Sequence, residues 1–149
     1  MAINCPLEFS DVNARMQNAT PTDLEEWLSA KTPEADMALA DVTKTDPQVV
    51  PISMAGLQAN NLFSSFRQSN IPCLLVNGLN DPAITHPALE MISTMPISFH
   101  QIILDGSGHF PMIDETVKFN RLLTDFLALE SGISPRELQL KEEWKRRVR

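Results

Sequence analysis

The sequence predicts an α/β fold built on a small parallel sheet. Two short apolar runs, residues 72–76 and 101–104, are typical of strands that are covered on both faces. A helical pattern over residues 87–92 lies between them. A strand, a helix and a second strand at this spacing form a right-handed parallel crossover. Only two strands are visible, and both of their outer edges would be unpaired, so the sequence predicts an incomplete sheet.

The chain before this sheet is predicted to be helical. Three dipeptides place a capping residue directly before a proline: Thr20-Pro21, Thr32-Pro33 and Asp46-Pro47. Such pairs begin helices, because the N–H that proline lacks is not needed in the first turn. Pro51 would cost about 3 kcal/mol inside a helix, so the third helix should be kinked or begin late. Residues 1–68 are therefore expected to form a helical cap, ending in a loop that carries Phe63 and Phe66.

Two helical patterns follow the second strand. The clearest begins near Glu115 and repeats apolar residues at i, i+3, i+4, i+7 and i+8. These residues are Phe119, Leu122, Leu123, Phe126 and Leu127. Ser134 and Glu137 form a capping box for a last amphipathic helix within residues 132–149. Residues 69–131 are then the sheet-bearing core.

Composition narrows the classes of function. The formal net charge of −7 argues against general nucleic-acid binding. A locally basic tail over residues 141–149 fits a solvated helix end, with a nucleic-acid or membrane contact as the alternative. Cys5 and Cys73 have no metal-type spacing and are expected to be free thiols. No leader peptide or membrane-spanning run is recognisable, so we expect a cytoplasmic protein.

Two ionisable residues follow the two predicted strands. Asp81 lies in the turn after the first strand, and His109 lies in the loop after the second. Open α/β sheets place their sites at the carboxyl ends of strands, so these side chains could meet as an acid–base pair. The alternative is an ordinary turn aspartate and a partly buried histidine.

The segments around these residues resemble the α/β-hydrolase superfamily. Residues 71–82, IPCLLVNGLNDP, are similar to the strand-and-turn segment that carries the family's triad acid. Residues 104–111, LDGSGHFP, are similar to its histidine loop, and the order of acid before histidine also matches. The resemblance implies a partial hydrolase fold, a helical cap followed by the last two core strands. It implies that Asp81 is the triad acid and His109 the general base.

The family's nucleophile motif is missing. No G-x-S-x-G sequence is present, although Pro51-Ile52-Ser53-Met54-Ala55 imitates it faintly without either glycine. Ser107 is expected to be a small turn residue, and its two neighbouring glycines do not complete a phosphate loop. His86 and His100 lie in different elements from His109, so no metal site is predicted, and no cofactor is called for.

Two functional hypotheses follow. The chain is either a hydrolase half that lacks its nucleophile or a non-catalytic module that assembles through its open sheet edge. The first implies a small apolar ester-like substrate, a complementary N-terminal half and no turnover alone. The second implies a strand-pairing partner or a homo-oligomer. The parent enzyme could also be a dehalogenase, a peroxidase or a C–C hydrolase.

Overall fold

The computed structural model describes residues 1–27, 33–57 and 59–138 of the chain. The strands are β1 (Ala2–Ile3), β2 (Cys73–Gly78) and β3 (Phe99–Leu104). The helices are α1 (Ala14–Gln17), α2 (Asp23–Trp27), α3 (Pro33–Val42), α4 (Val49–Ala55), α5 (Ala59–Gln68), α6 (Leu89–Ser93), α7 (Pro111–Asp114) and α8 (Thr116–Leu127), with 3-10 turns at Phe9–Asp11 and Pro135–Glu137. Helices and a small parallel sheet make this an α/β structure. No helix in these ranges is long and apolar enough to cross a membrane.

The sheet has three parallel strands in the order β1-β2-β3. The expectation of two strands was therefore wrong by one. Ala2 and Ile3 of β1 pair with Leu75 and Val76 of β2. A strand of two residues is too short to show a periodic pattern, which is why the sequence did not indicate it. Within the described residues, β1 pairs with β2 alone, so its outer edge is open.

The central strand β2 divides the core into two layers. Leu74 and Val76 face one side, where they pack with Ile102, Leu104 and the buried side chains of α8. Leu75 faces the other side, because successive side chains of a strand alternate between the two faces. The predicted stripe on α8 is confirmed for Phe119 and Leu122, which are buried in the first layer, and for Leu123 and Phe126, which pack against it. It is wrong for Leu127, which is 73% exposed.

The segment before β2 contains a helix that the sequence analysis missed. Phe63 and Phe66 were expected in a loop, but they lie in α5 and pack against the second layer. The Phe66 and Phe99 rings are 5.5 Å apart. The late start of the third predicted helix is confirmed, since α4 begins at Val49. Pro51 is therefore in the first turn, where no backbone N–H bond is lost.

The C-terminal segment closes over the far side of β3. The Arg136 guanidinium donates to the carbonyls of Phe99 at 3.0 Å, Met95 at 2.9 Å and Pro96 at 3.1 Å. The predicted cap at Ser134 is present, because its side chain accepts the N–H of Arg136, but it begins only a 3-10 turn. The rest of the predicted terminal helix and the basic tail lie outside the described residues.

Candidate active site

Asp81 follows the C-terminal end of β2 in a tight turn. Its side chain is 1% exposed. Its Oδ1 accepts the backbone N–H groups of Ala83 at 2.8 Å and Ile84 at 3.1 Å. These bonds hold the carboxylate rigidly and compensate for its burial. The turn before the proline at position 82 thus presents one fixed acceptor group.

His109 lies in the loop after β3, and its ring meets this carboxylate. Its Nδ1 is 2.9 Å from Asp81 Oδ2 and 3.0 Å from Oδ1. A carboxylate can only accept, so Nδ1–H is the donor and Nε2 of the neutral ring keeps a free lone pair. Nε2 has no hydrogen-bond partner among the described residues. The predicted meeting of the two residues is therefore present in the structure.

Aromatic side chains hold the imidazole on two sides. The Trp27 ring lies 5.2 Å from the His109 ring at 69°, and the Phe110 ring lies 4.9 Å away at 87°. Edge-to-face packing of this kind restricts rotation of the ring. Together with the bond to Asp81, it leaves the side chain one orientation, at 16% exposure.

The histidine loop is built on the helices that follow it. Gly108 donates its N–H to Asp114 Oδ2 at 2.9 Å, and Glu115 Oε2 accepts from Gly106 N–H at 3.1 Å and from the Ser107 hydroxyl at 3.2 Å. Burial works to raise the pKa of Glu115. The hydrogen bond and charge of Lys118, with the two loop donors, outweigh that effect and lower it. Ser107 is fully buried, so it is not an accessible nucleophile.

The turn that carries Asp81 and the loop that carries His109 approach each other closely at two glycines. A Cβ atom on Gly78 would lie 2.0 Å from the carbonyl oxygen of Gly108. Only glycine permits this separation of backbones. The sequence does not indicate that position 78 requires glycine, because the contact joins loops that are far apart in the chain.

Asn4 is a site residue that sequence reasoning missed. It follows β1, is 6% exposed, and adopts a positive φ of 42°. Its Oδ1 accepts the Gly78 N–H at 2.9 Å, and its Nδ2 donates to the His109 carbonyl at 2.6 Å. It therefore connects the end of β2 to the histidine loop.

An apolar pocket of about 360 Å³ opens beside His109. Its walls are Ile3, Asn4, Pro6, Met16, Ser53, Met54, Leu57, Ile84, His109, Phe110 and Met112. Most of these side chains are apolar, and three are flexible methionines, which adapt to ligands of varied shape. Ser53 is the one residue in this wall with a hydroxyl group. It lies inside α4, whereas a nucleophile elbow lies in a turn between strand and helix.

The other candidate groups do not join the site. His86 Nδ1 faces the carbonyl of Pro87 at 3.5 Å, while His100 lies on β3, where burial and the charge of Arg136 lower its pKa. The described residues contain no cluster of three or more metal-binding side chains. Cys5 and Cys73 are free, and burial raises the pKa of both thiols, which disfavours the reactive thiolate.

No family model, curated protein or solved structure matches this chain. We therefore infer the chemistry of the site from its geometry alone. A histidine whose Nδ1–H is held by a buried carboxylate can accept a proton at Nε2 and then be stabilised as a cation.

Proposed function

We propose that this chain supplies the acid–base half of an α/β-hydrolase-type enzyme. Asp81 is the triad acid and His109 is the general base. The nucleophile comes from a polypeptide segment that this sequence does not contain. The observation that carries the proposal is the 2.9 Å bond between His109 Nδ1 and Asp81, beside an apolar pocket at the ends of parallel strands.

The geometry supports a base rather than a structural histidine. A structural role would be satisfied by hydrogen bonds at both ring nitrogens, but here the described residues engage Nδ1 alone. Asp81 also receives two backbone N–H bonds, so it holds the ring without moving. This is the arrangement that lets a histidine take a proton from a nucleophile in acyl transfer.

The pocket supports a small, largely apolar substrate. Its volume of about 360 Å³ lies near the lower end of the range for small-molecule sites. Apolar walls favour a neutral ester-like compound with a short acyl or alkyl group, because burying an unpaired charge among them is costly. His109 is the one basic residue among the described side chains that line this pocket.

The experiment measures hydrolysis of p-nitrophenyl butyrate. The chain alone should give only background rates, and Ser53→Ala should leave them unchanged. Co-expression with a candidate segment bearing G-x-S-x-G should give a stable complex that hydrolyses the ester. His109→Ala should lower its kcat at least about 10³-fold. His86→Ala is the matched control, because His86 bonds only to its neighbour's carbonyl and should leave the rate unchanged.

Two results would overturn the proposal. One is an activity of the chain alone that Ser53→Ala abolishes, since the nucleophile would then lie in α4. The other is hydrolysis by the complex that is indifferent to His109→Ala.

A second candidate function is assembly through β1. This strand pairs on one side only among the described residues, and Ile3 is 37% exposed beside the open edge. An unpaired edge accepts another strand. Sedimentation should then show an oligomer that Ile3→Lys dissociates. Ile97→Lys, at an isoleucine that is 72% exposed before β3, should not dissociate it. A monomeric wild-type chain contradicts this function.

A further inference from the structure

Asn4 is buried where the two loops of the site face the end of β1. Its Nδ2 donates to the carbonyls of His109 at 2.6 Å and Gly108 at 3.4 Å, and its Oδ1 accepts from the Gly78 N–H at 2.9 Å. Its backbone N–H continues the sheet by donating to the carbonyl of Val76 at 2.9 Å. Both ends of the carboxamide are therefore used, one on each loop.

The backbone conformation aims this side chain at the loops. Asn4 has a φ of 42°, and it is the only described residue other than glycine with a positive φ. Asparagine tolerates this region better than most residues. The left-handed turn ends β1 and directs the carboxamide toward the histidine loop rather than along the strand. A strained backbone position persists only where the surrounding contacts hold it, and such positions are concentrated at functional sites.

We propose that Asn4 is a positioning residue that fixes the histidine loop relative to the acid-bearing turn. His109 is held at two points: its ring by Asp81 and its backbone carbonyl by Asn4. Gly78 donates its N–H to the carboxamide oxygen of Asn4, and it begins the turn that leads to Asp81. Asn4 thus determines how far apart the acid and the base lie.

A second set of bonds joins the same loops on the β3 side. Leu79 N–H donates to the carbonyl of Leu104 at 3.0 Å, and Asn80 N–H donates to that of Ser107 at 3.0 Å. These bonds do not involve Asn4 and should keep the loops together without it. Removing the carboxamide should therefore loosen the histidine and leave the fold intact.

The test follows the His109 Nδ1–H proton by NMR, with His109→Ala identifying its signal. Asn4→Gly removes the carboxamide and permits the positive φ. Exchange of the Nδ1–H with water should become about tenfold faster, because three hydrogen bonds to the loops are lost. Asn18→Gly is the matched control. It removes an exposed carboxamide that donates to the carbonyl of Ala14 at 3.1 Å, one helical turn away, rather than to either loop.

The outcomes separate cleanly. Equal exchange in Asn4→Gly, Asn18→Gly and the wild type overturns the proposal. If Asn4→Gly fails to fold, Asn4→Asp decides by the same criterion, since it keeps the shape but sets a carboxylate against two carbonyls. Failure of both variants to fold also overturns it, because Asn4 would then be a general stability element.

The catalytic meaning of Asn4 rests on the proposed function, but the exchange measurement does not. In the complemented enzyme, Asn4→Gly should lower kcat by a larger factor than it raises KM, since Asn4 also lines the pocket. Faster exchange with no hydrolysis in any complex would retain the positioning role and reject the hydrolase.

Discussion

Replacing Gly78 with alanine should force the acid-bearing turn away from the histidine loop. The new Cβ would lie 2.0 Å from the Gly108 carbonyl oxygen, 2.7 Å from that of Ser107 and 2.9 Å from the Gly108 carbonyl carbon. All three atoms belong to the backbone and cannot rotate aside. A carbon–oxygen contact normally requires about 3.3 Å, so the loops must separate by more than about 1 Å.

The cost follows from what this separation breaks. Forcing extra volume into a packed region costs about 1–3 kcal/mol. The bonds from Leu79 to Leu104 and from Asn80 to Ser107 cross the same gap, and each contributes about 1 kcal/mol net. We expect Gly78→Ala to lower the free energy of unfolding by about 3–5 kcal/mol, which is about 10 °C in Tm. The hydrogen bond between His109 and Asp81 should lengthen as the two loops separate.

Urea unfolding followed by circular dichroism measures this cost. Gly56→Ala is the matched control, since the nearest atoms to its new Cβ lie 3.6 and 3.8 Å away and its φ is −84°. That variant should be neutral or more stable by up to about 1 kcal/mol, because alanine restricts the unfolded chain. The His109 Nδ1–H signal should broaden in Gly78→Ala alone. A Gly78→Ala protein within about 1 kcal/mol of the wild type would refute the close approach of the loops.

Two further predictions concern the segments that support the site. Arg136→Ala should lower the free energy of unfolding by about 2–3 kcal/mol in urea titrations, because three carbonyls near β3 lose a charged donor. Arg15→Ala, which breaks only an exposed ion pair with Glu26, should change it by less than about 1 kcal/mol, and equal effects would contradict this role of Arg136. Glu115→Gln should be less stable than the wild type at neutral pH. Since the pKa of Glu115 is lowered on folding from its ordinary value of 4.5, that difference should persist above pH 4.5 and shrink as the pH falls through the lowered pKa. Lys118→Met should give the same acid profile, and a pH-independent difference would show that the charge of Glu115 is not what holds the loop.

The candidate site was predictable from the sequence to the extent that it depends on local patterns. The apolar runs before Asp81 and His109 indicated two strands, and parallel strands bring their carboxyl ends to one edge. That rule allowed the two residues to meet but left an ordinary turn aspartate and a partly buried histidine as the alternative, and the resemblance to α/β-hydrolase segments implied the pair. The stripe on α8 was equally local, because helical spacing shows directly in the order of residues.

Other features depended on contacts between distant parts of the chain. The loop predicted around Phe63 and Phe66 is instead the helix α5, in which both phenylalanines pack against the second layer of the core. β1 has only two residues, and it forms because the edge of β2 is there to receive it. The capping box at Ser134 predicted a last helix, but within the described residues it begins only a 3-10 turn, and Arg136 in that turn bonds to the carbonyl of Phe99, 37 positions away.

The sequence by itself determined that an acid and a histidine follow neighbouring strands and that an amphipathic helix packs against those strands. Those properties belong to short segments, where alternation and helical spacing are set by the order of side chains. The tertiary structure decided which residues hold the histidine. Asn4 bonds to partners 74 and 105 positions away, and Gly78 is required by a carbonyl on another loop. Such contacts leave no periodic trace in the sequence, because they arise only when distant backbones meet.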